Sequence, residues 1–131
     1  MKYEKLIKAA EETRRRAYTP YSKFKVGAAI LTSEGKIFTG CNIENASFGL
    51  TICAERVAIF KAISEGYSNF KAIAIIGDTQ KSCTPCGACR QVIMEFGADI
   101  EVIMSNLKGE IKISRIDKLL PIAFKKNDLP G

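Results

Sequence analysis

The sequence predicts a three-layer α/β domain built on a mixed five-stranded sheet, and three observations carry that prediction. Apolar residues recur at helical spacing in long stretches. Short β-branched runs bounded by glycine, asparagine and serine lie between and after them. The resulting order, α-β-β-α-β-α-β-β with a short tail element, alternates helices and strands as layered α/β domains do. A chain of 131 residues suits one core and a single domain spanning 1–131.

Tyr3, Leu6, Ile7, Ala10 and Ala17 fall among charges at i, i+3, i+4 spacing, which predicts an amphipathic helix over 3–17. Tyr18-Thr19-Pro20-Tyr21 ends it, because proline biases the residue before it toward extended geometry. The runs 24–32 and 36–42 flank Ser33-Glu34-Gly35 and read as a β-hairpin with glycine in the turn. From 54 to 64 few positions are polar, so this helix is expected to be buried on most sides. Residues 71–77 form a β-branched strand, 86–96 a helix stopped by Gly97, 100–105 and 110–114 two further strands, and 116–120 a short helix or turn before Pro121.

Composition removes several classes of function. Hydrophobic residues make up 47% and charged residues 26%, which is globular rather than disordered. The longest apolar runs fall well short of the roughly 18–20 residues that cross a bilayer. The stretch Lys2-Tyr3-Glu4-Lys5 has no apolar region behind it, so no secretory signal is expected and the cytoplasm is the expected location. The net charge of +6 permits an anionic partner without demanding one. Its densest run, Arg14-Arg15-Arg16, ends the first predicted helix, where cations favour the helix dipole. Histidine is absent, which excludes Ser–His and Cys–His nucleophilic pairs and any His-ligated metal. The five cysteines, at 41, 53, 83, 86 and 89, are an odd set in a chain without an export signal, so a metal or a reactive thiol fits better than a disulfide framework.

Two fragments carry the chemistry: Cys53-Ala54-Glu55 and Pro85-Cys86-Gly87-Ala88-Cys89, each at the head of a predicted helix. Cys86 and Cys89 are three residues apart on one helix, so both sulfurs can lie on one face. Helix N-termini lower thiol pKa and favour the thiolates a metal needs. If the two helices pack side by side, Cys53, Cys86 and Cys89 become three legs of a tetrahedron, which suits zinc and leaves a corner for water. Three thiolates on a divalent ion leave excess negative charge, and Arg56 and Arg90 are the candidates to donate hydrogen bonds to sulfur. Glu55, two residues after one ligand, is placed to shuttle a proton. A structural zinc knot with Cys83 as fourth ligand is the alternative at this point.

On these motifs the chain resembles the cytidine deaminases of the small, all-cysteine, homotetrameric type. The likeness runs from about Tyr18 through Leu129. It rests on Pro20-Tyr21-Ser22-Lys23-Phe24-Lys25-Val26-Gly27-Ala28-Ala29, Gly40-Cys41-Asn42-Ile43-Glu44-Asn45-Ala46, Cys53-Ala54-Glu55-Arg56, Pro85-Cys86-Gly87-Ala88-Cys89-Arg90-Gln91 and Leu119-Leu120-Pro121. The resemblance implies a three-layer α/β/α cytidine deaminase-like fold and one zinc ion per chain held by Cys53, Cys86 and Cys89. It implies hydrolysis of cytidine and deoxycytidine to uridine and deoxyuridine with release of ammonia, as in pyrimidine salvage. Glu55 then protonates the base at N3 and relays a proton to the leaving amine. Phe24 stacks on the base, Asn42 and Glu44 hold ribose hydroxyls, Phe124 enters a neighbouring subunit's pocket, and Arg56 bonds the ligand sulfurs. A homotetramer follows, with no nucleic-acid or membrane partner.

Two positions depart from the family pattern. Phe48 stands where many relatives carry tyrosine, and Cys83 where an aliphatic residue is usual. Cys83 and Cys41 are both expected to pack as small buried hydrophobes. Two other functions stay open beside the leading one: a deaminase of a related cytosine nucleoside or of an RNA base, and a structural zinc or iron–sulfur module. The RNA variant lacks support from any basic groove interleaved with aromatics.

Overall fold

Five strands, β1 (Val26–Thr32), β2 (Ile37–Cys41), β3 (Phe70–Gly77), β4 (Glu101–Asn106) and β5 (Ile111–Arg115), form one sheet in the order β2-β1-β3-β4-β5. Only the β3–β4 pair is parallel, so the sheet is mixed, as expected. A parallel pair needs a crossover. Here the crossover carries helix α3 (Gly87–Glu95), while α1 (Glu4–Arg14), α2 (Ala54–Ser64) and the short α4 (Ile116–Leu119) complete the helices. The computed structural model describes residues 2–130; Met1 and Gly131, the ends of the expected 1–131 domain, lie outside the described residues.

Period-2 alternation along the strands builds the three layers. Ala29, Ala72, Ala74, Ile76 and Ile103 face Leu6 and Ala10 of α1. Ala28, Ile30, Ile73, Ile75, Val102 and Met104 face Ala54, Ala58, Ile59 and Ala62 of α2 and Ile93 and Met94 of α3. The sheet is thus covered on both sides. This is why the buried runs Ala72 to Ile76 of β3 and Val102 to Met104 of β4 are continuously apolar. The β1–β2 hairpin turns through Gly35 at φ 94°, a backbone region glycine enters without a Cβ penalty.

Four details differ from the expectation. Helix α1 stops at Arg14, because Arg16 N and Ala17 N bond back to Thr13 and Arg14 carbonyls in tight turns. The chain then turns so that Tyr18 N reaches Asn42 O and Glu44 N reaches Tyr18 O. Strand β1 begins at Val26 rather than Phe24, since Lys23 adopts φ 62° and Phe24 N donates to Ser22 Oγ. Helix α2 is not buried on most sides in the single chain: it sits in an outer layer and its far side leaves Phe60 48% exposed. Single 3₁₀ turns at Phe48–Leu50 and Lys126–Asp128 were not expected. Among the described residues no helix is long and apolar enough to cross a membrane.

Candidate active site

The cysteine centre is made by two helix starts. Cys53 is the residue before α2 and Cys86 the residue before α3, both in extended conformation, so each thiol stands at the positive end of its helix. Cys89 lies within the first turn of α3 and is fully buried. Because α2 and α3 lie on the same face of the sheet, the three sulfurs converge to within 4.8 Å of one another. Cys53 Sγ and Cys86 Sγ are 3.8 Å apart. A tetrahedral zinc with bonds of about 2.3 Å separates its sulfurs by roughly 3.8 Å, so the donor set and its spacing fit zinc. Cys83 does not join the group.

Electrostatics support the same set. Arg56 Nη2 donates to Cys53 Sγ at 3.4 Å, and its buried Nε has no hydrogen-bond partner among the described residues. The Cys53 thiol is pulled down to about 5, first by a hydrogen bond from Cys89 and then by Arg56, against the opposing effect of burial. Cys89, sharing that bond, is pushed up. The Arg56 contact and the shared sulfur hydrogen bond thus favour the thiolate at Cys53, the form in which a cysteine binds metal. Arg90 does not serve the sulfurs. Its Nε donates to Pro85 O at 2.9 Å and its Nη1 to Leu119 O at 2.8 Å, since these two carbonyls lie within reach of the fork.

Glu55 sits in the first turn of α2, 4% exposed. Burial pushes its carboxyl up to about 7, with the charge on Cys53 acting in the same direction. Such a group can hold or release a proton near neutral pH. Cys83, 8% exposed, packs in the apolar cluster between the sheet and α2, and burial followed by the charge of Glu55 pushes its thiol to about 11. The Cys83 sulfur and the Phe24 ring both approach Gly77, where an added Cβ would lie 3.1 Å from Sγ and 3.2 Å from Phe24 Cζ. Cys41 is partly exposed and also stands apart from the three-thiol group.

Asn42 and Glu44 both face the 21–26 segment. Asn42 Oδ1 accepts from Val26 N at 2.8 Å and its Nδ2 donates to Phe24 O at 2.8 Å, leaving one donor hydrogen and one lone pair for a ligand. Glu44 Oε1 accepts from Tyr21 N and Ser22 N, and Oε2 accepts from the Ser22 hydroxyl, which holds the carboxyl below its usual range. Glu44 lines a cleft of about 420 Å³ together with Tyr21, Ser22, Phe48 and Thr51. Phe48 packs edge-to-face on Tyr21 with ring centroids 5.9 Å apart, and no hydroxyl is available at that position. A larger groove of about 670 Å³ beside α1 is rimmed by Glu4, Lys5 and Lys8 and has no thiol in its lining. Phe124 is 59% exposed on the C-terminal segment, anchored where Gln91 Nε2 donates to its carbonyl at 2.8 Å. Ser22 and Gln91 escaped the sequence reading as individual site residues; their only signal was membership of the Pro20-Tyr21-Ser22 and Cys89-Arg90-Gln91 motifs.

Comparison with known proteins places the chain in a family. Residues 1–105 match the model of the cytidine and deoxycytidylate deaminase zinc-binding region. A cytidine deaminase of Sporosarcina psychrophila is 53% identical over 130 residues, covering 98% of this chain and 96% of the relative. One from Halalkalibacterium halodurans is 51% identical and covers 98% of each chain. The crystal structure of cytidine deaminase from Burkholderia pseudomallei superposes with a TM-score of 0.92 at 50% identity, over 95% of this chain and all of that one. With a zinc-compatible thiol triad at two helix starts and near full-length similarity to these proteins, the chain belongs to the cytidine and deoxycytidylate deaminase family.

Proposed function

We propose that this protein is a zinc-dependent cytidine deaminase, which hydrolyses cytidine and deoxycytidine to uridine and deoxyuridine and releases ammonia, a reaction of pyrimidine salvage. The observation that carries the proposal is the buried Glu55 carboxyl beside three convergent thiols, one ligand fewer than a closed structural zinc site takes. Cys53, Cys86 and Cys89 hold the zinc, which supplies a Lewis acid able to lower the pKa of water toward about 7. Glu55 would take one proton from the attacking water and deliver it to N3 of the base, then take the second from the hydroxyl added at C4 and pass it to the amine, which leaves as ammonia as the C4–N bond breaks and the C4 carbonyl forms. Arg56 offsets the excess negative charge of the thiolates. Phe24 offers its exposed ring edge and face to the base, while Asn42 and the charged Glu44 offer a donor and acceptors to sugar hydroxyls. Phe124 completes a neighbouring subunit's pocket.

Purified protein is expected to contain one zinc per chain and to bleach the ultraviolet absorbance of cytidine. Removing the metal with a chelator abolishes the activity and zinc restores it. A zinc-replete protein without turnover refutes the proposal, and faster conversion of a cytosine-containing oligonucleotide than of cytidine replaces it with RNA-base deamination.

The assembly we propose is a homotetramer. Phe48, Leu50, Phe60, Phe124 and Leu129 are all exposed in the single chain and are the large apolar side chains that such an assembly would cover. Light scattering is expected to give about four times the 14.4 kDa chain mass; a monomer at micromolar concentration contradicts it. Five unpaired cysteines suit a reducing compartment, and the cytoplasm is the proposed location.

A further inference from the structure

Two motifs remain without a role in the chemistry: Arg90-Gln91, directly after the Cys89 thiol, and Leu119-Leu120-Pro121. The structure joins them. Arg90 spans from Pro85 O, the carbonyl that precedes Cys86, to Leu119 O at the end of α4, at 2.9 and 2.8 Å. One turn of chain further, Gln91 Nε2 reaches Phe124 O at 2.8 Å. Between these two anchors the backbone passes Pro121 and Ile122, the latter at φ 52°, without regular secondary structure. Beyond them the tail has one short turn, closed by Lys125 N donating to Asp128 Oδ2 at 2.8 Å. The tail is held against the cysteine helix by these side-chain hydrogen bonds together with the packing of Leu119, Leu120 and Ala123 on the core. A guanidinium fork is suited to this task because its several donors are fixed in one plane and can serve two carbonyls together.

We infer that Arg90 and Gln91 are positioning residues: they brace the C-terminal segment against the helix that carries Cys89, and so fix where Phe124 is presented and how tightly the nucleoside binds. The link to affinity rests on the proposed role of Phe124 at the substrate. A residue that only places a binding contact acts on ground state and transition state alike, so its loss raises KM and spares kcat.

In the zinc-loaded enzyme, Gln91→Ala is expected to raise the KM for cytidine about 3–10-fold, the value of one hydrogen bond, with kcat within about twofold of wild type. Zinc per chain stays unchanged. Trypsin is expected to cut after the exposed Lys125 and Lys126 several-fold faster than in wild type. Because Gln91 acts through Phe124, a Gln91→Ala/Phe124→Ala double variant has the KM of Phe124→Ala alone. Arg90→Lys keeps the charge but loses the two-carbonyl fork, and its tail is also cut faster; it serves if Gln91→Ala does not fold. Tail cleavage at the wild-type rate in both variants overturns the brace, as do KM effects of Gln91→Ala and Phe124→Ala that multiply independently. A Phe124→Ala enzyme with normal KM instead overturns the proposed role of Phe124, which the cleavage rate does not depend on.

Discussion

Glu55→Gln is expected to fold normally, hold a full complement of zinc and lose cytidine turnover by about 10²–10⁴-fold or more, the range associated with removing a general acid–base. The carboxyl is 4% exposed and packed in the first turn of α2, so an isosteric amide fills the same space without a cavity. It does not belong to the three-thiol group, so its replacement leaves the ligand set intact. What disappears is the transferable proton. In the native protein, burial pushes the carboxyl to about 7, which lets it accept and return a proton near neutral pH; an amide does neither. Turnover is read from cytidine absorbance, metal from elemental analysis and fold from circular dichroism. Undiminished turnover removes Glu55 from the chemistry. Loss of zinc with the fold intact makes it a ligand instead.

The parts of this centre that were legible in the sequence are those fixed by local spacing. Helix α2 runs from Ala54 to Ser64 as its apolar pattern requires, and Cys53 and Cys86 fall at the positions before two helices. Cys86 and Cys89 share a face because three residues make most of a turn. That Cys53 joins them depends on the β3–α3–β4 crossover bringing both helix starts to one face of the sheet, a condition that the spacing of the motifs does not itself supply. Arg90 shows the limit. Its fork can satisfy sulfur or carbonyl, and the outcome is decided by Leu119, twenty-nine residues later, a proximity that no spacing rule encodes. Glu44 is similar: its charge was legible, but its orientation comes from the Tyr21–Ser22 turn closed by Lys23 in the left-handed region. The open side of α2 was misread because apolar content does not distinguish a face packed within the chain from a face such as that of Phe60, which the single chain leaves uncovered.

Gly40→Ala tests whether the sheet sets the position of the active-site helix, and its expected effect on stability is large. A Cβ at Gly40 on β2 would lie 2.5 Å from Ala58 N, 2.6 Å from Ala54 O and 3.0 Å from Val57 Cβ. Two of these are backbone atoms and cannot rotate away, so α2 itself must lift from the strand. That helix carries Glu55 and Arg56 and directly follows Cys53, so lifting it pulls one thiol from the other two, which stand at the start of α3. Overpacking of this kind costs about 2–4 kcal/mol. At this chain length the loss corresponds to a fall in Tm of about 10 °C. The variant is expected to lose zinc on dialysis and to lose turnover with it. Gly49→Ala is the control: its added Cβ meets nothing within 4 Å, and both Tm and zinc should match wild type. Melts are compared at one free zinc concentration, because metal bound to the folded state raises Tm by mass action. A Gly40→Ala protein with wild-type Tm and full zinc would show that α2 has slack above β2, and that the geometry of the thiol centre is set by the loops before the helices rather than by the sheet beneath them.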